Sequence, residues 1–169
     1  VTPLADGSIP ALHQNMPKNK EAQAEMVYHL IKPFYGTVNN WEIWNEPWVH
    51  GWTWRTGDTQ DYRDMSKLIY QKVKAEMPDV SLIAGGSTAY QRDSLYAQGS
   101  KDTGYNDGSV NHAYSTPSMG LISALKEQMN MDKLYSRGKG KGGMWQTEGG
   151  ILPSEFKGTQ MEQQLMVSR

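Results

Sequence analysis

The chain has 169 residues, of which 37% are apolar, enough for one globular domain or a piece of one. Its 17 basic and 18 acidic side chains leave a net charge of −1, which excludes a nucleic-acid partner held by bulk positive charge. The absence of cysteine excludes a disulfide scaffold, a thiolate metal site and a cysteine nucleophile, and no run of eighteen apolar residues is present to span a membrane.

Residues 1–17 carry three prolines and no period, and read as loop. From Asn19 a helix is predicted with one apolar stripe, Ala22, Met26, Val27, Leu30, Ile31 and Phe34, ended by Pro33 and Gly36. Thr37–Trp44 reads as a strand closed by Asn45-Glu46-Pro47, because proline cannot donate to a ladder. After a loop to Gly57, Asp58 or Thr59 can cap a helix whose face is Tyr62, Met65, Leu68, Ile69, Val73 and Met77, stopped by Pro78. Val80–Ala84 is a short strand ended by two glycines, and 91–108 a loop bearing at most one short helix. Ser109–Tyr114 is a third strand. A helix comes next over roughly 118–134, with Leu121, Ile122, Leu125 and Met129 on one side. Ser136–Gly143 is a basic flexible turn without phosphate-loop spacing; Gly143–Thr147 is a fourth strand and Glu155–Val167 a last helix.

Strand starts near 38, 80, 109 and 143 lie 42, 29 and 34 residues apart, room for a returning helix each time. The fold class is therefore α/β: parallel strands with outer helices. Side chains alternate along a strand, so Glu42, Trp44 and Glu46 should share one face. So should Val110, His112 and Tyr114, and likewise Met144, Gln146 and Glu148. If that face turns into a barrel, each strand delivers its last polar residues to the C-terminal mouth. Trp41 and Trp145 then fall on the outer face as packing residues, and the helical Met26, Met65 and Met129 read as core. His13, His29 and His50 show no metal-ligand spacing, and no Gly-x-Ser-x-Gly elbow occurs.

Five of the six tryptophans lie between 41 and 54, around Trp41-Glu42-Ile43-Trp44-Asn45-Glu46-Pro47. This segment, with Val110-Asn111-His112-Ala113-Tyr114 and Trp145-Gln146-Thr147-Glu148-Gly149, resembles the retaining glycoside hydrolases of clan A. Residues 41–47, together with the stretch 62–86, are most similar to the branch holding β-xylosidases and α-L-iduronidases. The resemblance covers about residues 20–167 and implies strands four to seven of a (β/α)8 TIM barrel, so that 1–169 is a single partial barrel catalytic domain. It implies Glu46 as general acid/base and Glu148, 102 residues later, as nucleophile. It further implies that His112 and Tyr114 sit near the nucleophile and that Asn45 bonds the sugar 2-hydroxyl.

Such chemistry needs one protonated and one ionised carboxyl group about 5–5.5 Å apart. A raised Glu46 pKa is expected from Trp44 and Trp48 and from the second carboxylate, and an ionised Glu148 from Tyr114 hydroxyl donation. Trp48, Trp52 and Trp54 are candidate sugar-binding residues; Trp52 and Trp54 serve equally as loop anchors. The partner is a carbohydrate. No metal or cofactor is expected. The other class left open is a non-catalytic carbohydrate-binding or structural half-barrel. A complete barrel takes about 250 residues. The chain also opens at Val1 without a leader pattern and closes at Arg169 within a helical pattern, so both ends are expected to be cuts. The missing barrel half would come from a longer enzyme or from a second copy. A polysaccharide substrate implies secretion.

Overall fold

The computed structural model describes residues 16–45, 59–87, 105–114, 126, 129, 130, 133 and 141–150. At 59, 84–87, 111–114 and 149–150 the description is of the backbone. In chain order come α1 (Lys20–Ile31), a 3-10 turn (Lys32–Phe34), β1 (Asn40–Ile43), α2 (Thr59–Glu76), β2 (Ser81–Ser87), β3 (Gly108–Tyr114) and β4 (Met144–Gly150). Lys126, Met129, Asn130 and Lys133 are helical, between β3 and β4. The strands pair in sequence order, all parallel, and the sheet curls into a half-barrel flanked by helices, the architecture of a partial (β/α)8 barrel.

α1 begins where Asn19 leaves extended backbone and its side chain accepts from the Ala22 amide at 2.8 Å, satisfying one orphan donor of the first turn. Its buried face is Ala24, Tyr28 and Ile31, with Val27 partly buried against the core, so of the predicted stripe Ile31 and Val27 face inward. Met26 (48% exposed), Leu30 (56%) and Phe34 (50%) form an outer flank instead. The reason is Tyr28. Its ring fills the α1–α2 interface, and its hydroxyl donates to the Glu76 carboxylate and accepts from Lys32 Nζ at 2.6 Å. Lys32 and Lys72 lie over the ring, each 5.0 Å from its centroid. A residue with an apolar body and a polar tip therefore displaces plain aliphatics from the packed face.

α2 buries Tyr62, Met65, Ile69 and Val73 at helical spacing, as predicted, and ends before Pro78. These residues close on Ile31, Ile43, Met77, Val80 and Leu82 to form the core between helices and sheet. Each large side chain removed from water there contributes roughly 1.5–3 kcal/mol. The register places Trp41 beside Leu82 and Ile43 beside Ala84 on this helix side, with Glu42 beside Ile83 on the opposite, inner face. Trp41 packs against the helix-side core, as its parity predicts.

The strands are bounded differently from the sequence-based expectation. β1 is shorter, because its start is taken by a turn at 35–37 whose Gly36 has φ +85°. β2 runs on through the Gly85-Gly86 pair that the sequence suggests as its stop, and β4 runs on to Gly150, past the predicted end at Thr147. The N-terminal end of the sheet is tightly tied. Asp107 accepts from the Leu82 amide at 2.9 Å and from the Tyr70 hydroxyl at 2.9 Å, and pairs with Lys74 at 2.7 Å. Lys74 also donates to the carbonyls of Pro78 (3.1 Å) and Val80. Gly142, placed by sequence in a flexible turn, is packed: its amide donates to the Asp107 carbonyl at 3.0 Å, and a Cβ there would lie 2.8 Å from the Gly108 nitrogen. Met129 is 41% exposed, not core, whereas Met65 is fully buried. The expectations for residues 1–15, 46–58, 88–104, 115–125, 127, 128, 131, 132, 134–140 and 151–169, among them Leu121, Ile122 and Leu125, lie outside the described residues.

Candidate active site

Four parallel strands point their C-terminal ends to one edge of the sheet, and the candidate residues of β1, β3 and β4 lie toward that edge. Paired residues carry their side chains to the same face, so the ladder can be traced across the inner face. Glu42 pairs with Ile83, Ile83 with Gly108, and alternation along β3 puts Val110 and then position 112 on that face.

On β4 the ladder departs from simple alternation. Val110 pairs with Trp145 and Asn111 with Gln146, but His112 pairs with Glu148. Thr147 is the extra residue, bulged out between two ladder positions. The bulge corrects the predicted faces. Trp145 lies on the inner face with Val110, not outside, and Gln146 lies opposite it. Glu148 still reaches the inner face, because the bulge restores its parity there. It stands beside position 112 and is half-buried. Trp145 is 38% exposed, and its indole Nε1 donates to the Gly142 carbonyl at 2.6 Å, which tips the ring toward the N-terminal end of the sheet. Nothing in the sequence marks a bulge at Thr147, so this inner-face tryptophan was not legible from spacing.

The inner face is closed at its centre and open at its edges. Ile83 (3%) and Val110 (0%) on the middle strands are buried, whereas Asn40 and Glu42 on β1 are exposed, as is Trp145 on β4.

At the end of β1, Trp44 also departs from expectation. It does not continue the strand with Glu42 but takes φ +64°, and its ring packs against the helix-side core. It therefore forms no apolar wall of the inner face. A cavity of about 80 Å³ lies beside it, walled by Val27, Ile31, Trp41, Met65 and Ile69 among others. Asn45 comes next, exposed at the C-terminal edge. His112 and Tyr114 are placed by backbone, Tyr114 opposite Gly150. Glu46, Trp48, Trp52 and Trp54 lie outside the described residues, and with them the expected carboxylate separation. Among the described residues no group of three or more His, Asp or Glu forms a metal cage, and no helix is long and apolar enough to cross a membrane.

No protein-family model and no curated protein matches the chain. Among solved structures, a family 39 glycoside hydrolase from the gut symbiont Bacteroides cellulosilyticus WH2 is similar over 98% of this chain, with TM-score 0.63 and 22% identity. This chain spans 36% of that protein's length. The likeness is one of fold: a parallel half-barrel with outer helices, as in part of a (β/α)8 barrel.

Proposed function

We propose that this chain is the part of a retaining glycoside hydrolase that carries both catalytic carboxylates, Glu46 as general acid/base and Glu148 as nucleophile. The observation that carries the reading is the placement of Glu148. It is half-buried on the inner face, in register with His112, toward the C-terminal ends of the strands, the end at which Asn45 follows β1. Retaining cleavage requires an ionised carboxylate to attack the anomeric carbon while a second, protonated one donates to the leaving oxygen. The ordered motifs around Glu46, His112 and Glu148 support the same assignment, as does the fold likeness to a family 39 glycoside hydrolase. Asn45 would bond the sugar 2-hydroxyl, Tyr114 would hold the Glu148 carboxylate, and Trp48, Trp52 and Trp54 would line sugar subsites. The substrate is a polysaccharide or its oligomers, met outside the cell, with xylosides and iduronides the first classes to assay.

The alternative is a non-catalytic carbohydrate-binding or structural half-barrel, and under either reading the chain has room for further barrel units. The α1 flank of Met26, Leu30 and Phe34 continues into Tyr35 (42% exposed) and Val38 (41%), beside β1 at the edge of the sheet. Such a flank fits further strand–helix units of a barrel. Hydrolysis of aryl glycosides by the chain, with Glu46→Gln and Glu148→Gln as comparators, separates the readings. The catalytic reading expects at least a thousandfold loss in Glu148→Gln, and external azide restoring turnover to a Glu46→Ala variant. If both Gln variants hydrolyse as fast as the wild type, the assignment is wrong. If the wild type binds glycans without turnover, the non-catalytic carbohydrate-binding or structural reading stands.

A further inference from the structure

The cavity of about 80 Å³ lies between α1, α2 and the edge strand β1, on the helix side of the sheet. Ile31, Met65, Ile69 and Leu82 form its floor, and all four are fully buried, so the space is a gap in the core and not relief on the surface. Its rim is half-buried: Gln23 and Val27 of α1, Trp41 of β1 and Trp44 just beyond it. Protein cores leave few gaps larger than a water molecule, so an open one of this size calls for an occupant.

The lining says what kind. The floor offers aliphatic carbon and one thioether, whereas a buried water needs about two to four polar partners, so water gains little there. An apolar group instead gains the dispersion contacts that the lining lacks. Gln23 brings to the rim an amide able to donate and to accept. Trp44 brings the second indole there by taking φ +64°, the one positive φ of a non-glycine residue among the described residues. A bulky residue persists in that region only where its surroundings over-determine it, and such strain gathers at ligand sites. Size sets the rest. A water needs roughly 10–15 Å³ and an apolar cavity of about 150 Å³ takes benzene, so the space between these suits a chain of about four carbons.

We propose that this cavity is a binding site for a small amphipathic molecule, a short aliphatic alcohol, whose chain lies on Ile31, Met65, Ile69 and Leu82 and whose hydroxyl stays at the rim with Gln23. The site belongs to the helix layer and is independent of the assignment of the two glutamates given above.

The probe is n-butanol, followed by carbon–proton NMR of the methyl groups. For a ligand of about five heavy atoms a Kd of roughly 1 mM is expected. The methyl shifts of Ile31, Met65, Ile69 and Leu82 should saturate, while those of Ile83 and Val110, buried on the inner face, stay still. At about ten times the Kd, the folding equilibrium should move roughly elevenfold toward the native state. Butanediol with a hydroxyl at each end has to bury one of them among aliphatic groups, and should bind at least about tenfold more weakly. Val27→Phe fills the mouth from the half-buried rim and should abolish the shifts. Gln23→Leu should weaken n-butanol several-fold and leave xenon, which has no hydroxyl, bound as before. Shifts that do not saturate, that are as large at Ile83 and Val110, or that persist in folded Val27→Phe overturn the site. Equal binding of butanediol overturns the amphipathic ligand. That comparison uses the wild type alone, so it decides even where Val27→Phe fails to fold.

Discussion

Glu148 stands beside His112 across the β3–β4 ladder because Thr147, one residue earlier, is bulged out of register. Without the bulge, Thr147 would occupy that position and Glu148 would fall to the helix side. The register is set at the other end of the two strands. Ser109 donates to the Gly143 carbonyl at 3.0 Å, and Gly142 donates to the Asp107 carbonyl at 3.0 Å. This clamp is possible because glycines meet there: a Cβ on Gly108 would lie 2.4 Å from the Gly143 oxygen and 2.7 Å from the Gly142 carbonyl carbon. Backbone cannot yield as a side-chain tip does. Gly108→Ala should therefore cost about 3 kcal/mol, at the upper end of overpacking penalties. Gly36→Ala, where nothing lies within 4 Å but φ is +85°, should cost only about 1 kcal/mol. Urea midpoints of the two variants check the order; equal losses would mean the strands do not approach as closely as described.

The Tyr62 hydroxyl supplies the hydrogen bond that holds the end of β1. Tyr62→Phe keeps the ring in the core and leaves the Ile43 carbonyl without that donor. A buried acceptor left unsatisfied costs about 1–3 kcal/mol. Denaturation should show a loss in that range, and amide exchange should quicken at β1 more than at β3. A uniform change across the sheet would contradict a local role.

Lys74 and Asp107 join α2 to the start of β3, with side chains 20% and 14% exposed. Lys74→Met removes the cation and leaves a mostly buried carboxylate whose remaining donors are Tyr70 and the Leu82 amide. Breaking one side of such a pair costs about 3 kcal/mol. Adding Asp107→Asn to Lys74→Met should return part of the loss, since the leftover charge is then gone. Additive losses in the double variant would show that the two groups do not interact.

Acid should loosen the α1–α2 interface through Glu76. The Tyr28 hydroxyl, and after it the Lys32 ammonium 3.5 Å away, hold its carboxyl below the ordinary value of 4.5. Its folded pKa is lowered, so its stabilising contribution is complete above the unfolded value and is lost as pH falls from about 4.5 through the folded value. Tyr28→Phe should therefore destabilise the protein more at about pH 6 than at about pH 3. An equal deficit at both values would assign the effect to packing alone. At the opposite extreme, Glu25 raises the pKa of Lys72 by hydrogen bonding, and the Tyr28 hydroxyl does the same for Lys32. Their contributions are complete below the ordinary lysine value of 10.5 and lost as pH rises through the raised ones.

Local sequence determined the elements themselves. Asn19 caps α1, Pro78 comes just after α2, and the spacing of Tyr62, Met65, Ile69 and Val73 defines the buried face of α2, because hydrogen bonding to the first turn and a 3.6-residue period are local properties. Strand-to-strand distance and alternation with helices were enough for a parallel sheet, and the order of Asn45-Glu46, His112 and Glu148 was enough to name a candidate site. Tertiary structure decided which faces those residues use. Tyr28 rather than Met26 or Leu30 is buried, because α2 supplies Glu76 to its hydroxyl. Trp44 turns to the helices, because their core accepts its ring. Trp145 joins the inner face by pairing with Val110, and Glu148 joins it past a bulge, a register that exists only when β3 lies beside β4. Propensity and period are encoded residue by residue, whereas register and burial depend on a partner surface brought from elsewhere in the chain.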